Sequence, residues 1–141
     1  MQQLLIILLF AFGLSLSAQT EKYSGTYQKS VETQIGERIT YTLNLNSDGT
    51  YVFHMYRNMK APNPEENLYG RGSWKAEKNL IFFHTEDKDI GPDYSLNLNA
   101  SKAKVKTTSP SRKATGITEE SLRFYASDIY WVKGIVLDKK N

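Results

Sequence analysis

One stretch constrains this chain more than any other. Residues 41–53 read YTLNLNSDGTYVF. Tyr41, Leu43 and Leu45 alternate with Thr42, Asn44 and Asn46, and the alternation resumes at Tyr51 and Phe53 after Asn46-Ser47-Asp48-Gly49. Alternation of period two puts one set of side chains on each face of a strand. Asp-Gly between two such runs is the strongest short-range hairpin signal. A weaker copy, YSLNLN, returns at residues 94–99. The pattern predicts an all-β chain: a meander of half-buried antiparallel strands.

The same reading places strands at about 23–29, 37–46, 50–57, 70–77, 80–85, 94–99, 102–108, 121–126 and 130–138. Pro62, Pro64, Pro92 and Pro110 all fall between these runs, as expected of a residue that cannot donate to a ladder. The longer loops are 58–69, 86–93 and 109–120. Residues 118–132, TEESLRFYASDIYWV, read in two ways. As a short helix near 118–126, Thr118 caps and Glu119 and Glu120 favour the first turn. As strands, Leu122, Phe124 and Ala126 alternate, and the β-branched and aromatic content of YWVKGIV favours extended chain. About eight to nine strands in a meander imply a small up-and-down barrel, closed or half-open.

Residues 1–18 stand apart. An apolar run from Leu4 leads into Ser15-Leu16-Ser17-Ala18, the layout of a secretory signal peptide cleaved near Ala18. Residues 19–141 then form one domain, expected in the periplasm or outside the cell. The chain has no cysteine, so an exported fold of this kind is held by packing rather than disulfides.

Charge is uneven. Residues 19–100 hold nine basic and eleven acidic side chains, and residues 101–141 hold nine basic and four acidic. In Lys102-Ala103-Lys104-Val105-Lys106 the lysines share one face. That suits an exposed or edge strand, where charge discourages strand addition. A basic surface over 102–113 also suits contact with an anionic membrane or an envelope protein. Export argues against nucleic acid as a partner.

The start Gly25-Thr26-Tyr27, the hairpin LNLNSDGTYVF, Gly72-Ser73-Trp74 and the strand NLIFF at 79–83 together resemble small exported lipocalin-like β-barrel proteins of bacterial envelopes. The N-terminal domain of envelope-stress copper-resistance lipoproteins is similar. The resemblance implies a barrel with a ligand-sized interior or mouth. Those relatives carry a Cys-x-x-Cys near their first strand; with no cysteine here, a thiolate copper role does not carry over.

Catalytic signatures are lacking: there is no G-x-S-x-G, Walker loop or metalloprotease helix, and the reading is a non-enzyme without a cofactor. His54 and His84 sit on alternate strands, where a shared metal would need a carboxylate as well; the reading is two unrelated histidines and no metal site. Glu86, Asp87, Asp89 and Asp93 crowd a loop whose spacing misses the calcium-loop pattern. The aromatics carry the functional reading. Tyr41, Tyr51, Phe53, Trp74 and Phe83 are the expected lining of a pocket for a small apolar or amphipathic ligand. A barrel of this size either fills its interior or holds one small ligand. A cavity of roughly 300 Å³ or more favours binding; a packed interior favours a structural or interaction protein of the envelope.

Overall fold

A computed structural model describes residues 20–60, 62, 65–109, 116 and 118–141. The proposed signal segment and part of the basic loop, including Arg112 and Lys113, lie outside the described residues. Eight antiparallel strands run in chain order: β1 (Gly25–Glu32), β2 (Arg38–Leu45), β3 (Thr50–Asn58), β4 (Glu65–Glu77), β5 (Leu80–His84), β6 (Lys102–Thr108), β7 (Glu119–Ala126) and β8 (Val136–Lys139). Each pairs with the next, and β8 pairs with β1, which closes the barrel.

The hairpin lies where the alternation puts it. Leu43, Leu45, Tyr51 and Phe53 point inward and are buried; Leu43 pairs with Phe53 and Leu45 with Tyr51. At the turn, the Gly49 N–H donates to the Asn46 carbonyl at 3.0 Å, and Gly49 takes φ +88°, a region that costs an L-residue about 1–2 kcal/mol. Asp48 Oδ1 accepts from the Thr50 amide at 2.9 Å and its hydroxyl at 2.6 Å, which holds the carboxyl below its ordinary range. Two sequence motifs meet here. The Trp74 indole donates to the Asn46 carbonyl at 3.0 Å, and the Trp74 amide donates to the Gly49 carbonyl at 2.8 Å.

One end of the barrel carries this turn, the β4–β5 turn and the chain leading into β1. A helical turn at residues 20–23 lies at that end, and the buried Tyr27 hydroxyl donates to the Tyr23 carbonyl at 2.8 Å. The opposite end, the mouth, carries residues 33–37, 59, 60, 62, 85–101 and 127–135. Between the ends the interior is filled. Phe83 stacks on Phe124 at 5.3 Å, and Tyr51 meets Phe83 edge-on at 5.1 Å.

Four expectations are corrected. Residues 94–99 are not a strand, and the count is eight, the lower of the eight to nine expected. Asparagine chemistry wins there: Asn97 Oδ1 accepts from the Asn99 amide, and the Asn99 side chain brackets Thr85 with two 2.7 Å bonds. Such side chains compete with ladder pairing. The segment instead tucks Leu96 and Leu98 against Gly70. Second, β4 begins at Glu65, inside the expected loop 58–69, because its register with β3 continues to Asn58↔Glu65. Third, the final strand is only Val136–Lys139 rather than 130–138, since residues 130–134 turn. Residues 119–126 form a strand, as the extended reading of that stretch has it, with Leu122 and Phe124 inward. Fourth, β6 is no edge: it pairs with β5 and with β7.

Two glycines test this packing. A Cβ at Gly72 would lie 2.1 Å from the His84 backbone oxygen and 3.0 Å from Tyr51 Cε1, so Gly72→Ala should lower stability by about 3 kcal/mol. Gly49→Val places a β-branched residue at positive φ and should cost about 2 kcal/mol. Urea unfolding followed by tryptophan fluorescence reads both, and a Gly72→Ala midpoint matching the parent would contradict the register of β3, β4 and β5.

Candidate functional site

The mouth contains a cavity of about 330 Å³. Three adjacent strands build one wall from inward-facing positions: Ile39 and Tyr41 on β2, Met55 and Arg57 on β3, Glu66 and Leu68 on β4. The register sets these side by side, with Tyr41 opposite Met55, Met55 opposite Leu68 and Arg57 opposite Glu66. The other wall is Tyr130 and Trp131 from the β7–β8 connection. Trp131 stacks on Tyr41, with ring centroids 6.0 Å apart, and lies 6.2 Å from Phe53. Phe53 is therefore the floor under the tryptophan. Tyr130 is 88% exposed and stands at the rim.

The lining is apolar except for one ion pair. Arg57 Nη2 donates to Glu66 Oε2, and both side chains keep solvent contact. The Arg57 Nε is buried and has no hydrogen-bond partner among the described residues. A buried donor left unpaired costs about 1–3 kcal/mol. Burial raises the Tyr41 phenol above its ordinary value, and the Arg57 charge offsets part of that rise.

The five residues expected to line a pocket do not gather around one cavity. Tyr41 lines the mouth. Tyr51 and Phe53 are sealed in the core at 1% and 0% exposure, and the Tyr51 hydroxyl shares a 2.8 Å hydrogen bond with Thr85. Trp74 and Phe83 are buried and touch a separate groove of about 280 Å³ beside Lys75, Phe82 and His84. They fill the barrel because all four sit below the level of Met55 and Leu68. Ile39, Met55 and Arg57 were legible as the continuation of the inward alternation on β2 and β3. Glu66 and Leu68 carried no signal, since they fall in a stretch that reads as loop.

The histidines stay apart. His54 stacks on Tyr69 at 4.2 Å and Nε2 hydrogen-bonds Asn67 at 2.8 Å. Across β4, His54 is opposite Tyr69 and His84 is opposite Ser73, about 13 Å along the strand. No group of three or more metal-ligating side chains forms among the described residues. In the acidic loop, the Glu86 amide donates to Asp89 Oδ2 at 2.9 Å, so that carboxylate caps a 3₁₀ turn. No helix among the described residues is long and apolar enough to cross a membrane. No family model, curated protein or solved structure matches the chain.

The two sealed phenols give a pH prediction. Burial pushes Tyr51 up to about 12 and also raises Tyr27, to which the Glu120 charge adds. An unfolded tyrosine titrates near 10, so the fold favours the neutral phenol. That contribution is fully present below pH 10 and is lost as pH rises toward about 12. Urea midpoints should be flat to about pH 9 and then fall, with a shallower fall in Tyr51→Phe; equal slopes in both proteins would place the Tyr51 hydroxyl in solvent.

Proposed function

We propose that this chain is an exported, non-enzymatic binding domain that takes a small apolar or amphipathic molecule at the barrel mouth. The cavity between Tyr41, Met55, Leu68 and Trp131 carries the reading. Its volume of about 330 Å³ is at the lower end of ligand pockets, and it is open at one side while the interior beneath is filled. Apolar walls around a single polar group are the usual make-up of such sites. Arg57 and Glu66 offer a donor and an acceptor at one edge. Their charges offset each other, so the fitting ligand has an apolar body and a polar end without need of a net charge. Export is supported by residues 4–18.

Native mass spectrometry of protein purified from its own host tests this. The expected result is a retained small molecule, or uptake of one added amphiphile such as lauryl alcohol. Leu68→Trp, which fills the cavity, should lose that mass while melting no lower than the parent. A bare protein that also takes up no amphiphile would overturn the reading, as would unchanged binding in a folded Leu68→Trp variant.

A further inference from the structure

The lysines of β6 have lost the explanation that suits an edge strand. In a closed barrel β6 has no free backbone edge to protect, yet Lys102, Lys104 and Lys106 all stand exposed on its outer face while Ala103 and Val105 are buried. On β7, Arg123 lies directly opposite Lys104. Like charges directly opposite one another weaken a strand pair. Among the described residues, no acidic side chain forms an ion pair with any of these four cations. In the transverse rows of Lys104 and Lys106 the nearest acids, Glu77 and Asp138, stand two strands away, about 10 Å. Asp138 is also diagonal to Arg123, and Glu119 is diagonal to Lys106, each on a neighbouring strand, so the four cations outnumber the acids around them.

The surface around them is concave. A groove of about 750 Å³ has Lys104, Lys106 and Arg123 in its lining, with Ser121 opposite Lys106 on the same face and no carboxylate. Tyr125 and Val136 complete it, and both are partly exposed apolar side chains, at 39% and 42%. On the β5 side, Lys102 lies over the Phe82 ring at 6.0 Å. Cations are thus interleaved with aromatic and aliphatic surface over β5 to β8. A soluble anion would neutralise the charges and leave that apolar surface in water. A bilayer interface meets both, because phosphates pair with the cations while Tyr, Val and the lysine stems enter the headgroup zone.

We propose that the outer face of β5–β8 docks on membranes that carry anionic phospholipid. This inference stands apart from the mouth cavity, which opens between β2–β4 and the β7–β8 connection. The test is co-flotation of the chain spanning residues 19–141 with phosphatidylglycerol/phosphatidylcholine vesicles and with vesicles of phosphatidylcholine alone. Binding is expected to the anionic vesicles only, and to fade as salt rises. Lys104→Ser/Arg123→Ser should bind about thirtyfold more weakly and melt no lower, because it removes a repulsive pair. Lys106→Ser, a milder change, should lose about fivefold. Equal partition into both vesicle types, failure of the folded protein to bind either, or unchanged binding in both variants would overturn the proposal. Capture by heparin or duplex DNA with no vesicle binding would reassign the face to a soluble polyanion and overturn it equally.

Discussion

Closure of β8 onto β1 is the constraint on which the rest depends. The ladder between them is short: Tyr27 faces Lys139 and Gln28 faces Asp138, extended by the Lys140 amide donating to the Thr26 carbonyl at 2.8 Å. Lys139 Nζ also reaches Glu120 of β7 at 3.1 Å, a largely buried pair that ties β8 to β7, and the same Nζ lies 5.8 Å from the Tyr27 ring of β1. Without that seam, β1 and β8 would present unpaired backbone to other chains. With it, the inward alternation of every strand converges on one volume, and Tyr27, Phe53, Ile81, Phe124 and Leu137 are removed from water together. Each such side chain contributes about 1.5–3 kcal/mol.

Filling is uneven along the axis, and this decides where function can sit. Toward the closed end, Tyr27, Leu45, Tyr51 and Trp74 occupy the section and the tyrosine hydroxyls find internal partners. Toward the mouth, the segment carrying Leu96 and Leu98 packs beside Gly70 on one side. The other side is left to Tyr41, Met55, Leu68 and Trp131, which do not close the space between them. The barrel is thus a filled scaffold with a half-plugged mouth, rather than a hollow container.

The fold was largely legible, because strict alternation admits few alternatives. The hairpin, β6 and the inward set of β2 and β3 follow directly from period two. The one lost strand has a clear physical source: short polar side chains that stand in for backbone. YSLNLN carries the same alternation as YTLNLN, yet Asn97 and Asn99 satisfy local amides and carbonyls that a ladder would have used. The site was less legible for a different reason. A large aromatic on an inward position reads the same whether it fills a core or faces a cavity; only the height along the barrel separates Tyr41 from Tyr51. Trp131, which forms the far wall, sits in a turn that reads as strand. The lysines of β6 suit an exposed strand or an edge, and closure of the barrel leaves only the first.

The two tryptophans mark the two ends, so they report separately on the central claim that the closed end is filled and the mouth accepts a ligand. Trp74→Phe leaves Trp131 at the mouth, and Trp131→Phe leaves Trp74 bonded to the hairpin turn. Fluorescence titration of both variants with lauryl alcohol is the most direct measurement. The expected result is a saturable blue shift from Trp131 and no change from Trp74. A response from Trp74, or silence from Trp131 in a folded protein, would contradict it.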